Sequence, residues 1–288
     1  MEAAVARIEA LIHQDVGRGI DALFAAARGG LFAAAAGIAG MDRPRIGILT
    51  GFFIPAGAPP AAETDGPAGA ALLALGFSRA GLACRVLTDD LCRDACVAAL
   101  AGAGVGDVPV DTGAAWRPAD FDWVIAIERC GRTADGTLRN MRGQAVAGVP
   151  SDDAFLAGPW RTVGIGDGGN EVGMGALPPG LIADTVAFGE TIACVTPAEH
   201  LIVAGVSHWG AYALLGASAI LRPDWREGLV SALDPAVDRA VMAALVNDGP
   251  AVDGVTLRRE PTIDGLDLAA HAAKLLAVRR VVQDATAV

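Results

Sequence analysis

Short apolar runs separated by stretches of helical spacing constrain this chain more than any other feature. The runs are Ile46-Gly-Ile-Leu-Thr50 and residues 84–88, 123–127, 162–165 and 192–195. Between them lie helical patterns at 69–80 and 93–101. Residues 1–28 carry Val5, Ile8, Leu11 and Ile12 at helical spacing, an alanine- and glycine-rich segment follows at 31–41, and helices are expected at 235–246 and 266–282. Strands alternating with helices predict an α/β fold in three layers, a mostly parallel sheet with helices on both faces and a helical C-terminal region. At 53% hydrophobic residues the chain has enough apolar material to cover both faces of such a sheet. No repeat or linker divides it, so residues 1–288 are expected to form a single α/β domain.

Charge narrows the partners. A formal net charge of −11 opposes binding to phosphate backbones, so no nucleic acid is expected and a small-molecule anionic substrate or a metal fits better. Lys274 is the only lysine, which disfavours a Schiff base or a P-loop. The 5 cysteines, Cys84, Cys92, Cys96, Cys130 and Cys194, are scattered through apolar segments and read as buried free thiols of a reducing compartment. Glu2, Glu9 and Asp15 interrupt any signal-peptide pattern, so a cytoplasmic protein is expected. Residues 201–221 lack Asp, Glu, Lys and Arg, long enough for a membrane span, but Ser207, His208 and Trp209 at their centre favour a buried helix and no membrane partner. A homo-oligomer is compatible with the composition.

The densest chemical signal is Gly164-Ile-Gly-Asp-Gly-Gly-Asn-Glu-Val-Gly-Met-Gly175, which follows an expected strand. Gly164, Gly166 and Gly169 satisfy GxGxxG, but Gly173, Gly175, Pro178 and Pro179 leave little room for the helix that a dinucleotide site requires. The same turn offers Asp167, Asn170 and Glu171 as hard oxygen ligands for Mg²⁺ or Mn²⁺. A plain turn closed by its own Asp and Asn is the bland alternative. Gly168 and Gly169 would let the backbone approach a substrate.

Three other segments add candidates. In Glu63-Thr-Asp-Gly-Pro67, the two carboxylates of an extended segment would face one ligand, although Asp65 also suits a helix N-cap. Glu128-Arg129-Cys130-Gly131-Arg132 ends a strand. Glu128 would be a ligand or general base and Arg129 and Arg132 a carboxylate clamp, unless they form a local ion pair. The long loops 51–66 and 131–160 have the length of functional loops; Asn140-Met-Arg-Gly143 and Asp152-Asp153 lie in the second and would line a lid or, as the blander reading, be solvated loop polar residues. His208 reads as a core histidine bonded to backbone and Asp253-Gly254 as a plain turn. No hydrolase triad or zinc motif is present.

These blocks, together with Gly47-Ile-Leu-Thr-Gly-Phe-Phe-Ile-Pro55 and Gly205-Val-Ser-His-Trp-Gly-Ala-Tyr212, resemble the D-glutamate cyclase C-terminal-domain family. The resemblance covers most of the chain in order. His208 departs from it, since asparagine is expected there. It implies conversion of D-glutamate to 5-oxo-D-proline and water, in a carboxylate-rich site assisted by Mn²⁺ or Mg²⁺. Glu63, Asp65, Glu128 and Asp167 would be catalytic, and Asn170 and Glu171 would join them on the metal. Arg129, Arg132, Asn140, Gly168 and Gly169 would hold the substrate. Because a related archaeal member resembles a manganese-dependent phosphatase, hydrolysis of a small phosphomonoester is the alternative, and a non-enzymatic small-molecule binding protein the third.

Overall fold

The computed structural model describes residues 1–112, 120–151, 153–156 and 158–286, the last of these spans holding most of the helical mass. In chain order the elements are α1 (Glu2–Ile12), α2 (Asp21–Ala27), α3 (Gly30–Ala39), β1 (Ile46–Gly51), β2 (Phe53–Ile54), β3 (Ala61–Glu63), α4 (Asp65–Arg79), β4 (Cys84–Thr88), α5 (Arg93–Gly102) and β5 (Val110–Thr112). They continue with β6 (Trp123–Arg129), α6 (Asp153–Leu156), β7 (Arg161–Gly166), α7 (Leu181–Thr185), α8 (Gly189–Ile192), β8 (His200–Val203), α9 (Ser207–Leu221), α10 (Arg226–Ser231), α11 (Pro235–Asn247), β9 (Ala251–Val252) and α12 (Leu268–Thr286).

The main sheet has the order β5-β4-β1-β6-β7-β8 and is parallel throughout. Its central strands are buried along their whole length, which is why they read as unbroken apolar runs rather than alternating ones. Ile48 pairs with Val86 on one side and Ile125 on the other. These residues share a core with α4 and α9. Alternate residues Leu49, Leu87, Val124 and Ala126 pack on the opposite face against Phe155 of α6, Trp160 and Val172. On that face, beyond β8, Val203 and Leu201 meet α2, α7 and α8. Helices therefore lie on both faces of the sheet, in three layers.

Helix α9 is apolar on every side and buried almost end to end, as expected of a helix enclosed by others. No single helix among the described residues is long and apolar enough to cross a membrane. The bent pair α2 and α3 meets the test by length and composition only, and Leu31, Ala34, Ala35 and Ile38 of α3 are buried in the core.

Two expectations are corrected. Residues 192–195 form no strand: Ile192 closes α8, and the edge strand is β8 instead. The neutral stretch 201–221 is accordingly a strand, a turn and a helix rather than one helix. The helical spacing at 1–28 resolves into α1 and α2 with an irregular segment between them.

Topology places the site. Strand connections from β1 run outward through β4 to β5, then return to β6 on the other side of β1. The order reverses between β1 and β6, and in open α/β sheets ligands bind beyond the strand ends at such a point. A small second sheet, β2-β3-β9, lies over this end and carries the segment leading into α4.

Candidate acidic site

A cavity of about 160 Å³ opens at this end, lined by Arg18, Phe52, Ile54, Glu63, Glu128, Asn140, Met141, Arg142, Asp167, Asn170, Gly254, Val255 and Asp264. Among the described residues, the larger groove of about 460 Å³ beside α10 and α12 holds no comparable set of buried acids. Glu63, Glu128 and Asp167, far apart in sequence, meet here.

Each acid is delivered by a strand end or a helix start. Glu63 ends β3, and Asp65 is the first residue of α4. The extended two-residue spacing expected for them is replaced by a strand followed directly by a helix. Asp65 makes no N-cap bond; it is fully buried, and no donor reaches either of its carboxylate oxygens. Glu128 sits where the β1–β6 register slips, since Thr50 pairs with Ile127 and Gly51 with Arg129. Its φ of 44° lies in the left-handed region, unusual for a non-glycine residue and costly by about 1–3 kcal/mol. The bulge turns the carboxylate out of the sheet and into the cavity.

Asp167 follows β7 and is held by the start of α9: the Ser207 N–H donates to Asp167 Oδ2 at 2.8 Å. The Ser207 hydroxyl donates to Glu128 Oε2 at 2.6 Å. One residue at a helix N-terminus thus positions two acids, and the helix dipole favours their charge. Glu171 is placed by the antiparallel bridge between Cys130 and Glu171 and by the Gly169 N–H, which donates to Glu171 Oε2 at 2.8 Å. Glu171 Oε1 and Asn170 Oδ1 are buried without a donor, while Asn170 Nδ2 donates to the Arg139 carbonyl at 2.9 Å. The 167–170 segment is a series of bends, not a helical turn, and no helix opens at Gly169 as a dinucleotide site would need.

The balancing cation is Arg18. Nη2 donates to Asp264 Oδ1 at 2.6 Å, Nη1 lies 3.3 Å from Asp167 Oδ1, and Nη1 also donates to the Gly205 carbonyl at 2.9 Å. Sequence reading missed both Arg18 and Asp264. Their one local signal is glycine: Arg18 lies between Gly17 and Gly19, and Asp264 precedes Gly265. Asp253 is a turn residue, as expected, with Oδ1 accepting from the Val255 and Thr256 N–H groups and Oδ2 from Gly265. Its neighbour Gly254 does more. A Cβ there would stand 1.9 Å from Glu63 Oε1, so only glycine leaves room for that carboxylate.

Burial and mutual repulsion reshape the acidity. Desolvation, then the neighbouring carboxylates, holds Glu63, Asp65 and Glu128 well above the ordinary range. Asp167 is pushed up to about 6 by burial, with Arg18 opposing, and Asp264 to about 7 for the same reasons. Burial raises Glu171 as well. So dense a set of acids favours shared protons or a bound cation.

Oxygens of Asp65, Asp167 and Asp264 all lie within 4.8 Å of one another, as do oxygens of Glu128, Asp167 and Glu171. Hard, donor-free carboxylate oxygens are the ligands that Mg²⁺ and Mn²⁺ select, so the residues present fit a divalent cation.

The guanidinium and glycine expectations fare differently. Arg129 does not line the cavity. It is buried in an ion pair with Asp89, and its Nη1 donates to the Gly51 carbonyl at 3.0 Å, tying together the ends of β1, β4 and β6 beneath the site. Arg132 is half-buried and outside the cavity lining, its carbonyl accepting from the Val195 N–H. Arg142, in the Asn140 block, reaches the cavity instead, with long contacts of 3.4 and 3.3 Å to the Gly254 and Val255 carbonyls. Asn140 also lines the cavity, its Oδ1 accepting from the Arg142 and Gln144 N–H groups. The Gly169 N–H is used by Glu171, and a Cβ on Gly168 would come 2.9 Å from both Asn170 Oδ1 and Glu171 Oε1. Asp152 and the side chain of Asp153 lie outside the described residues. His208 is a core residue bonded not to backbone but to Asp238, at 2.7 Å from Nε2 to Oδ1. All 5 cysteines are buried and none is in a disulfide.

Comparison with known proteins adds an independent line. Over 107 residues the chain is 43% identical to a human (Homo sapiens) protein named D-glutamate cyclase, mitochondrial. That match covers 35% of this chain and 17% of the relative, so the two share only a small part of the relative's length. The family described as D-glutamate cyclase-like, C-terminal, matches residues 8–279, from the first helix through most of the last. The chain belongs to the D-glutamate cyclase-like C-terminal family.

Proposed function

We propose that this protein is a lyase that closes D-glutamate to 5-oxo-D-proline with loss of water, at the acidic cavity and with a divalent cation bound. The observation that carries the reading is the meeting of Glu63, Glu128, Asp167 and Asp264 at one small cavity, with Asp65 and Glu171 clustered on Asp167, in a member of this family. Its volume is well below the roughly 300–1,000 Å³ of drug-sized pockets, which suits a substrate the size of one amino acid.

Ring closure joins the substrate's amine nitrogen to its γ-carbon and breaks a γ-carbon–oxygen bond. Two ammonium protons must travel to the departing oxygen, which leaves as water. A divalent cation held by Glu128, Asp167 and Glu171 would polarise the γ-carboxylate as a Lewis acid. Glu63 lines the cavity and would carry a proton from nitrogen to oxygen. Arg142, with two carbonyl contacts and an open approach, would capture the α-carboxylate and hold the chain folded for attack. Phe52, Ile54 and Met141 wall the cavity and limit water.

Incubating purified protein with D-glutamate, with and without Mn²⁺, and following 5-oxoproline by chromatography tests the proposal. Product that depends on protein and metal supports it; no product under either condition removes it. Phosphate release from a small phosphomonoester in a parallel incubation would favour the hydrolytic reading, which the same hard-oxygen ligands serve.

A further inference from the structure

We infer that Asp167 bridges two divalent cations, one held with Glu128 and Glu171 and the other with Asp65 and Asp264. The inference rests on the cation-dependent reading above and extends it from one ion to two.

The two acidic groups share Asp167 and no other member, and within each the oxygens lie within 4.8 Å of one another. A carboxylate has two oxygens and four lone-pair directions, so one aspartate between two sets can serve both. Each set also contains buried oxygens that no donor in the protein satisfies. In the first these are Glu171 Oε1 and, beside it, Asn170 Oδ1; in the second, both oxygens of Asp65 and Asp264 Oδ2. A buried acceptor without a partner costs about 1–3 kcal/mol, more when charged, so the orphaned oxygens of each group favour a cation of their own. Beside the first set only glycine fits at 168, since a Cβ there would stand 2.4 Å from Met141 Sδ and 2.9 Å from both Asn170 Oδ1 and Glu171 Oε1.

Charge points the same way. Six carboxylates, Glu63, Asp65, Glu128, Asp167, Glu171 and Asp264, meet where two guanidinium groups reach, Arg18 in ion pairs and Arg142 in the cavity lining. Fully ionised, the set would carry four net negative charges; one divalent cation leaves two and a second leaves none. A paired site of this kind would hold both oxygens of the γ-carboxylate, the one retained and the one that departs, while the amine nitrogen attacks the carbon between them.

The test uses the full chain with Mn²⁺ alone as probe. Equilibrium dialysis with metal analysis should give two ions per chain, and the electron paramagnetic resonance spectrum should show exchange coupling. Glu171→Gln and Asp65→Asn should each retain one ion and lose the coupling, with circular dichroism confirming the fold. If either variant does not fold, Glu128→Gln or Asp264→Asn tests the same half. Saturation at one ion in the wild-type protein, or two ions kept by both variants, overturns the pair while leaving a single-cation enzyme intact. No bound ion in the wild-type protein overturns both the pair and the metal-assisted reading.

Discussion

Arg18 Nη2 donates to Asp264 Oδ1 at 2.6 Å across 246 residues of chain, and the same guanidinium faces Asp167. The irregular segment after α1 is thereby fastened to the turn before α12, and both are fastened to the loop after β7. This contact makes the acidic cavity a product of the whole fold. Replacing Arg18 by Gln should leave these carboxylates without their cation. Removing one partner of a buried pair commonly costs about 3–5 kcal/mol, so a lower melting temperature is expected, with part of the loss recovered on adding Mn²⁺. Thermal melts with and without metal check this, and an unchanged melting temperature would count against it.

The cluster also sets a pH dependence for the metal-free protein. Asp264 at about 7 and Asp167 at about 6 hold protons in the folded state that the unfolded chain releases near 4. The folded state binds more protons in that window, so stability is present at pH 4 and is lost as pH rises through 7. A tenfold difference in proton affinity is worth about 1.4 kcal/mol, so the loss should amount to a few kcal/mol by pH 8. Mn²⁺ should reverse it most strongly at high pH. Denaturant titrations at pH 5 and 8 decide the matter; a metal-free protein more stable at pH 8 would contradict it.

His271 acts with the opposite sign. Its Nδ1 accepts from the Trp209 indole at 3.0 Å and its Nε2 faces the Ile263 carbonyl, an arrangement that requires the neutral ring. Burial, reinforced by His208, pushes it down to about 4. Stability from this residue is therefore present above 6.5 and lost as pH falls towards 4, by about 3 kcal/mol in all. His271→Gln keeps an acceptor for Trp209 but cannot titrate. The stability difference between variant and wild type should change between pH 7 and pH 5, and a constant difference would refute the assignment.

Gly254→Ala should separate stability from function. The new Cβ would meet the flexible end of Glu63, which can swing away, so the cost to stability should stay below about 1 kcal/mol. The displaced carboxylate should lower kcat by tenfold or more. Equal kcat in the variant would remove Glu63 from the chemistry.

Arg129→Ala should do the reverse. The loss of its buried pair with Asp89 should destabilise the fold by about 3–5 kcal/mol, while the protein that does fold should keep its KM. A large rise in KM with little loss of stability would restore Arg129 as a substrate clamp.

These residues show what could be read from sequence. Central strands were legible because a sheet covered on both faces needs uninterrupted apolar runs, and 84–88 is found as β4 with the same limits. Strand β8 was hidden because no polar residue separates it from α9, so strand and helix merge into one apolar stretch. Acids that end strands or sit in the glycine-rich turn stood out by position. Arg18 and Asp264 did not, since each is a single polar residue in a glycine turn whose meaning comes only from its distant partner. Arg129 misled because its strand-end position is shared by site residues, while the bulge at Glu128 sends neighbouring side chains to different places.

The most direct test of the account is calorimetric titration of Mn²⁺ at pH 7 into the wild-type protein and into Asp167→Asn, in buffers of different ionisation heat. The buried carboxyls must give up protons to bind a cation, so wild-type binding should release protons, and both binding and release should collapse in Asp167→Asn. Equal affinity and equal proton release in the two proteins would contradict the acidic cavity as a cation site.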